Sequence, residues 1–173
     1  MAIGVAEAHT RTFARWLASP AGSSEEAPHS ETREATGRDA ARCLAGVNVL
    51  VVEDEPDARE VVGALLEARG AHVLLTASVA EATESLAQSR PDVIVSDIGM
   101  PDVDGFEFAR RLRKLSPERG GDTPIVALTA YTSAQDRLRT FEAGYDCHLG
   151  KPVDMDELVR VLERLAKHRS RAS

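Results

Sequence analysis

Short apolar runs alternate with longer segments of helical periodicity from residue 47 onward. The first run, at 47–52, is dominated by Val and Leu on successive positions, which is typical of a strand that is buried on both faces of a sheet. The predicted strands cover residues 47–52, 72–75, 93–96, 125–128 and 147–149. Because an amphipathic segment follows every one of them, the pattern predicts five strand–helix units in succession.

Capping signals indicate where the intervening helices begin and end. Ser78-x-x-Glu81 has the residue types of a capping box, in which a hydroxyl and a carboxylate satisfy backbone N–H groups of the first turn. The other predicted boundaries are Pro56 and Gly70 for the first helix, Asp104 and Glu107 for the start of the third, Ser133 and Gly144 for the fourth, and Asp154 and Glu157 for the start of the fifth.

Apolar residues recur at helical spacing between these boundaries and predict one core-facing side for each helix. They are Val61, Val62, Leu65 and Leu66 in the first helix, Val79, Ala82 and Leu86 in the second, Phe108, Leu112 and Leu115 in the third, Leu138 and Phe141 in the fourth, and Leu158, Val161, Leu162 and Leu165 in the fifth.

The short connections between these elements predict an α/β fold of the doubly wound class. Five strand–helix units joined by a few residues each require a parallel sheet with helices on both faces. In this class the ligand site lies beyond the carboxyl ends of the strands. We therefore expect the functional residues to be those that directly follow the strands.

The first 46 residues differ in composition from the rest of the chain. Residues 19–40 contain no Val, Ile, Leu, Met, Phe, Trp, Tyr or Cys, so this stretch is predicted to be a linker. Phe13, Trp16 and Leu17 have helical spacing and predict either a short helix or a frayed tail. We therefore expect a leader over 1–46, a folded domain over 47–168 and a short tail over 169–173.

Composition and charge exclude several classes of function. The 173 residues carry 21 Lys and Arg against 28 Asp and Glu, and the net charge of −7 argues against nonspecific nucleic-acid binding. The basic runs at Arg110, Arg111, Arg113 and Lys114 and at 167–171 are interpreted as solvated faces. No apolar run is long enough for a membrane span, and Cys43 and Cys147 do not indicate a disulfide framework. The expected location is the cytoplasm.

Charged and hydroxyl side chains follow four of the five predicted strands. Glu53 and Asp54 follow the first strand, Asp97 the third and Thr129 the fourth, while Lys151 follows the fifth. Oxygen ligands without His or Cys select a hard cation, and an open site of this kind suits Mg²⁺. An Asp can also act as a nucleophile and form an aspartyl-phosphate. The strand ends therefore predict a magnesium-dependent phosphoryl-transfer site.

The residues at these strand ends carry a family resemblance. The segments are Val-Leu-Val-Val-Glu-Asp-Glu at 49–55, Ser-Asp-Ile-Gly-Met-Pro-Asp-Val-Asp-Gly at 96–105, Ile-Val-Ala-Leu-Thr-Ala at 125–130 and Gly-Lys-Pro at 150–152. Together they resemble the receiver domains of two-component response regulators, over about 47–166. The resemblance implies a flavodoxin-like sheet with the strand order 2-1-3-4-5.

The same resemblance implies a role for each site residue. Asp97 would be the phosphoacceptor. Mg²⁺ would be bound by Glu53, Asp54, Asp97 and the backbone carbonyl of Gly99. Lys151 would contact the phosphoryl group, and the peptide bond before Pro152 would be cis. Thr129 would be the switch hydroxyl, and its movement would let His148 turn from an exposed to a buried position.

Three positions depart from the family pattern. His148 stands where the family usually has Tyr or Phe. Gly99 and Tyr131 offer no carboxylate or amide that could orient a hydrolytic water. These two residues leave the lifetime of the phosphoryl group open, and the site itself is unaffected.

The resemblance implies signalling through other proteins. The donor would be a histidine kinase or a histidine phosphotransfer protein. The output would be a protein target on the face of the fourth helix, fifth strand and fifth helix, and a homodimer is compatible with the same face. No nucleic-acid or membrane partner is expected.

Two settings and one rival function stay open. The chain is either a stand-alone regulator, which Met1 and the short leader favour, or the receiver module of a hybrid histidine kinase, whose junctions residues 44–52 resemble. The rival is a phosphatase or other hydrolase with an Asp nucleophile. Those enzymes carry Asp-x-Asp after the first strand, where this chain has Glu53-Asp54-Glu55.

Overall fold

The computed structural model describes residues 43–100, 104–130 and 133–170. The strands are β1 (Asn48–Val52), β2 (His72–Thr76), β3 (Val93–Asp97), β4 (Ile125–Thr129) and β5 (Cys147–Gly150). The helices are α1 (Pro56–Ala68), α2 (Val79–Ser89), α3 (Gly105–Arg113), α4 (Ala134–Ala143) and α5 (Met155–Ser170), with a 3₁₀ turn at Pro117–Arg119. Each predicted strand and helix is present, with ends that differ by one or two residues.

The five strands form one parallel sheet in the order β2-β1-β3-β4-β5. This confirms the α/β doubly wound class and the 2-1-3-4-5 order that the family resemblance implied. Two apolar clusters lie on opposite faces of the sheet. One contains side chains of α1 and α5, and the other contains side chains of α2, α3 and α4. Helices therefore cover both faces.

Burial along the strands explains their composition. All five residues of β4 and the first four of β3 are buried, because helices cover both faces of these inner strands. The edge strand β2 is mostly exposed, and Leu74 and Leu75 keep 39% and 38% of their surface in solvent. The inner strands therefore hold the residues at their carboxyl ends, Asp97 and Thr129 among them, in a fixed frame.

The predicted capping residues satisfy backbone groups at the helix starts. Ser78, Asp104 and Ser133 each accept a hydrogen bond from an N–H in the following turn, and Asp154 accepts from two. The predicted capping box differs by one residue at Glu81, because its carboxylate accepts a hydrogen bond from the N–H of Ala77 and not from that of Ser78. The cap at Asp104 therefore fixes the start of α3 after the loop that follows β3.

Three apolar positions at helical spacing face solvent. Val61 and Leu65 of α1 are 57% and 40% exposed, whereas Val62 and Leu66 are buried. Leu138 of α4 is 59% exposed. Only the side of each helix that the sheet covers is removed from water, and that side is narrower here than the apolar stripe in the sequence.

The basic run of α3 is not uniformly solvated. The prediction of a solvated face is wrong for Arg113, whose guanidinium forms an ion pair with Asp146 at 2.6 Å, with side chains only 10% and 12% exposed. Arg113 also donates to the carbonyl oxygens of Gly144, Gly121 and Thr123. Gly121 and Thr123 lie 8 and 10 residues after Arg113, whereas Gly144 and Asp146 lie 31 and 33 residues after it, so only the folded chain brings all of them together.

The folded unit extends beyond both predicted boundaries. Leu44 is fully buried in the cluster on the α1 and α5 face, so a domain start at residue 47 is at least three residues too late. At the other end α5 continues through Ser170, and Arg169 donates to the carbonyl of Pro91 and contacts Thr123. The predicted tail at 169–173 and its solvated basic face are therefore wrong for Arg169.

Other predictions fall partly or wholly outside the described ranges. The leader, including the segment at Phe13, Trp16 and Leu17, lies outside them up to residue 42, as do Tyr131 and residues 171–173. Within the described ranges, no helix is both long and apolar enough to cross a membrane. Cys43 and Cys147 are free thiols.

Candidate functional site

The site forms where the carboxyl ends of β1, β3, β4 and β5 meet at one edge of the sheet. Glu53 and Asp54 follow the last residue of β1, and Asp97 is the last residue of β3. Because β1 and β3 are adjacent and parallel, their ends bring these acidic residues together. One oxygen from each of the three carboxylates lies within 4.8 Å of the others.

Lys151 lies between two of these carboxylates. Its Nζ donates to Glu53 Oε2 at 2.8 Å and to Asp97 Oδ2 at 2.9 Å. The backbone N–H of Lys151 donates to the carbonyl of Thr129, which ties the residue to the end of β4. The Lys151–Pro152 peptide bond is cis, as the family resemblance implied.

Burial and hydrogen bonding have opposite effects on the pKa values of Glu53 and Lys151. Burial raises the pKa of Glu53 above its usual value, and the hydrogen bond from Lys151 offsets only part of that effect. For Lys151, burial is the largest single influence and lowers the pKa, but the hydrogen bonds to Glu53 and Asp97 and the charges of these two carboxylates together outweigh it, so the pKa is raised. The lysine is therefore held as a cation beside the acidic cluster.

The loop after β3 returns to the Asp97 side chain. The N–H of Gly99 donates to Asp97 Oδ1 at 3.0 Å, while Asp97 Oδ2 accepts from Lys151. Both oxygens of this carboxylate are thus oriented. Gly99 itself is exposed, and the metal-binding role of its carbonyl stays a prediction.

Thr129 and His148 lie beside the cluster on β4 and β5. Thr129 is fully buried at the end of β4, and His148 is only 6% exposed. The exposed starting position expected for His148 is therefore wrong. The reason is that α4 covers β5 at this point, so Thr140 of α4 lies against the imidazole ring, with Oγ1 3.3 Å from Nδ1.

The donor and acceptor roles in the His148–Thr140 contact depend on the tautomer of His148. The hydroxyl of Thr140 already donates its only proton to the carbonyl of Asp136, at 2.8 Å. Nδ1 of His148 must therefore be protonated for the pair to form a hydrogen bond. This contact links the strand beside the site to the solvent-facing helix α4.

Arg59 is a site residue that sequence analysis missed. Its guanidinium donates to the backbone carbonyls of Glu53 and Asp54, at 2.7 and 3.1 Å. The bonds fix the turn that presents both acidic side chains. The only signal in the sequence is a basic residue in the first turns of the helix that follows the acidic pair.

The donor set fits a hard divalent cation. Glu53, Asp54 and Asp97 supply oxygen atoms only, and no His or Cys belongs to this cluster among the residues that the structure describes. Glu53 is buried and Asp54 and Asp97 are half-buried. A cation at this position would neutralise charges that Lys151 alone only partly balances.

A family model supports the assignment suggested by this geometry. The model described as "Response regulator receiver domain" matches residues 49–163. That range contains the acidic cluster, Thr129, His148 and Lys151.

Curated relatives are similar over the same part of the chain. A protein of Leptolyngbya boryana described as "Uncharacterized 14.6 kDa protein in sodA1 3'region" is 40% identical over 70% of this chain and 91% of its own length. The response regulator Rre1 of Synechocystis is 38% identical over 73% of this chain and 54% of its own length. The response regulator MprA of a Mycobacterium strain is 37% identical over 72% and 52%. The chain thus spans about half the length of the two named regulators.

Solved structures have the same fold. The receiver domain of the sensor histidine kinase PA1611 from Pseudomonas aeruginosa, with magnesium coordinated in its active-site cleft, is 36% identical at a TM-score of 0.64, covering 71% of this chain and 99% of that one. The chemotaxis response regulator CheY4 of Vibrio cholerae is 33% identical at a TM-score of 0.63, covering 69% and 98%. The chain belongs to the response regulator receiver domain family.

Proposed function

We propose that this protein accepts a phosphoryl group on Asp97 from a histidine kinase or a histidine phosphotransfer protein. The observation that carries the proposal is the contact of Lys151 with both Glu53 and Asp97, inside a cluster of three carboxylates. An acidic nucleophile next to a fixed cation is what phosphoryl transfer to a carboxylate requires.

In the transfer step, an oxygen of Asp97 forms a bond to phosphorus while the bond from phosphorus to the donor nitrogen breaks. Lys151, already 2.9 Å from Asp97 Oδ2, then pairs with the oxygens of the phosphoryl group. The N–H of Gly99 keeps the carboxylate oriented during the attack. Arg59 keeps the backbone of the acidic turn in place.

Glu53, Asp54, Asp97 and the carbonyl of Gly99 are the proposed ligands of Mg²⁺. When bound, Mg²⁺ supplies positive charge that offsets the charge of the phosphoryl oxygens. Asp54→Ala is expected to lower Mg²⁺ affinity at least about tenfold, because it removes a direct oxygen ligand. An unchanged Mg²⁺ titration of this variant would refute the role of Asp54.

The central test is phosphorylation by acetyl phosphate in the presence of Mg²⁺, followed by intact-protein mass spectrometry. Wild type should gain one phosphoryl group, and Asp97→Asn should gain none, because an amide is not a competent nucleophile. Asp92→Asn is the matched control, because Asp92 accepts hydrogen bonds from Asn48 at the opposite edge of the sheet. Labelling of Asp97→Asn at the wild-type level would contradict the proposal.

A panel of autophosphorylated histidine kinases tests the identity of the phosphoryl donor. Rapid transfer from one kinase would identify a partner in a phosphorelay, whether the receiver acts alone or as a module of a hybrid kinase. The rival hydrolase function is tested with p-nitrophenyl phosphate. Multiple turnovers of that substrate would favour the hydrolase, and we expect none.

We further propose that Thr129 and His148 transmit the phosphorylated state to the face formed by α4, β5 and α5. The hydroxyl of Thr129 would move toward the phosphoryl oxygens, and His148, which pairs with Ala127 of β4, would then change its contact with Thr140. Because Thr140 lies on α4, that change alters the surface offered to a protein target or a second copy of the chain. His148 thus starts from a buried position and not from an exposed one.

This readout is tested with Thr129→Ala and His148→Ala. Both variants should still accept a phosphoryl group on Asp97 but lose the amide shifts that phosphorylation causes in α4. Thr123→Val is the control, since Thr123 is also fully buried but lies before β4, away from the site. Wild-type shifts in both site variants would contradict the switch.

A further inference from the structure

Gly105, at the start of α3, packs closely against the backbone at the end of β3. The N–H of Gly105 donates to the carbonyl of Ile98 at 3.2 Å. A Cβ at Gly105 would lie only 2.7 Å from the carbonyl oxygen of Asp97 and from the Cα of Ile98. Glycine therefore allows the start of α3 to pack directly on the backbone of the phosphoacceptor.

Tyr145, in the turn that precedes β5, contacts Gly105. The αL conformation of Gly144 ends α4 and places Tyr145 two residues before the start of β5, where its N–H donates to the carbonyl of Thr140. Its side chain is 4% exposed and belongs to the apolar cluster that contains Ile98 and Phe106. Its hydroxyl donates to the carbonyl of Gly105 at 3.0 Å.

We propose that Tyr145 is a positioning residue for the magnesium and phosphoryl site, through its hold on Gly105. The inference rests on the proposed function and adds a residue to it. Gly105 is hydrogen-bonded to Ile98, so a hold on Gly105 also restrains the Ile98–Gly105 contact and the neighbouring Gly99. The N–H of Gly99 orients Asp97, and its carbonyl is a proposed metal ligand. The hydroxyl acts on the site through the backbone carbonyl of Gly105.

The chemistry of Tyr145 suits this role. Burial raises the pKa of the phenol well above its usual value, so the group stays a proton donor throughout the physiological range. The carbonyl oxygen of Gly105 has a second lone pair beyond the one used in the helix, so it can accept this bond. A buried donor that loses such a partner is costly, and the pair therefore resists separation.

Tyr145→Phe tests the inference, because it removes the hydroxyl and keeps the ring in the apolar cluster. We expect Mg²⁺ affinity to fall about two- to tenfold, the equivalent of one net hydrogen bond. The amide signal of Gly99, followed by NMR in a Mg²⁺ titration, reports this binding without any phosphorylation. The rate of phosphorylation by acetyl phosphate should fall at limiting Mg²⁺ and recover at saturating Mg²⁺.

Thr123→Val is the matched control. Thr123 lies before β4, and the variant also removes a fully buried hydroxyl, which contacts Arg169 of α5. It should lower the stability of the fold without changing Mg²⁺ affinity. Gly105→Ala is a second variant that disturbs the Ile98–Gly105 contact, because its Cβ would collide with backbone atoms of Asp97 and Ile98. It should weaken Mg²⁺ binding more than Tyr145→Phe does.

The outcomes separate this inference from the proposed function. If wild type binds Mg²⁺ and is phosphorylated while Tyr145→Phe has the same Mg²⁺ affinity, the positioning role is wrong and the proposed function stands. If wild type neither binds Mg²⁺ nor accepts a phosphoryl group, both fail. An equal loss of affinity in Tyr145→Phe and Thr123→Val would mean that lower stability is the cause, and this would also overturn the inference.

Discussion

Glu53 is almost fully buried, and it shares its site with two more carboxylates. A buried carboxylate of this kind is tolerated when a cation is held against it, and Lys151 supplies that cation at 2.8 Å. Lys151 also contacts Asp97, so one side chain balances two acids. The charge state of the site therefore depends on a single ammonium group.

Replacing this ammonium should make stability more sensitive to pH. Lys151→Met removes the hydrogen bond that lowers the pKa of Glu53, so burial raises that pKa further above 4.5. A raised folded-state pKa disfavours folding at pH values above the unfolded-state pKa, and the loss disappears as the pH falls toward it. With EDTA present, urea unfolding should show the variant about 1–3 kcal/mol less stable at pH 7.5 and close to wild type near pH 4.5. A difference that does not vary with pH would contradict this coupling.

The two cysteines should differ in reactivity. Burial raises the pKa of Cys147 to about 11, whereas Cys43 is half-buried. Only the thiolate reacts with iodoacetamide, and about one in a thousand Cys147 thiols would be ionised at pH 8. Mass spectrometry should therefore find one rapid alkylation in the folded protein, at Cys43, and two in urea. Equal rates at both residues in the folded protein would contradict the buried position of Cys147.

At the scale of elements, Arg113 joins α3 to two turns that precede β4 and β5. Its guanidinium donates to Asp146 and to three backbone carbonyls, and Asp146 in turn accepts from the N–H of Ile125 at the start of β4. The planar, multidentate donor set of arginine suits this arrangement. These bonds lie at the amino ends of the strands, so they stabilise the frame of the site from the opposite edge.

Arg113→Met should destabilise the fold by about 3–5 kcal/mol, because it removes a buried guanidinium that pairs with Asp146 and bonds three backbone carbonyls. Arg110→Met, three residues earlier on the same helix, is the matched control. Its exposed contact with Glu107 is 3.8 Å long and should contribute less than about 1 kcal/mol. Urea unfolding midpoints at constant m-value measure both effects. Similar midpoints for the two variants would refute the structural role of Arg113.

At the scale of the whole molecule, the sequence predicted the fold because local patterns and topology agreed. Buried strands, capping residues and short connections leave few alternatives to a doubly wound sheet, and its strand ends then bring Glu53, Asp54 and Asp97 together. Family resemblance added the strand order.

Other features depended on contacts between elements distant in sequence. Periodicity placed Val61 and Leu65 on the apolar face of α1, but both side chains stay exposed while Val62 and Leu66 take the buried side of the helix. Arg113 resembled its exposed neighbours because Asp146 and the accepting carbonyls lie elsewhere in the chain. His148 was expected to be exposed because nothing in its own strand predicts that Thr140 lies over it.

The amino-terminal boundary of the folded unit can be tested by truncation. Composition alone placed it before residue 47, but Leu44 is fully buried, and its N–H donates to the carbonyl of Arg69. A chain that begins at residue 43 retains both interactions, whereas a chain that begins at residue 47 loses them.

We expect the chain that begins at residue 43 to match the full chain in stability and in Asp97 phosphorylation. The chain that begins at residue 47 should be about 2–5 kcal/mol less stable, the usual cost of losing a buried leucine side chain. Leu44→Ala in the full chain is the matched control and should reproduce most of that loss. If removal of residues 1–42 is itself strongly destabilising, the segment at Phe13–Leu17 contributes to the fold and the proposed boundary is wrong.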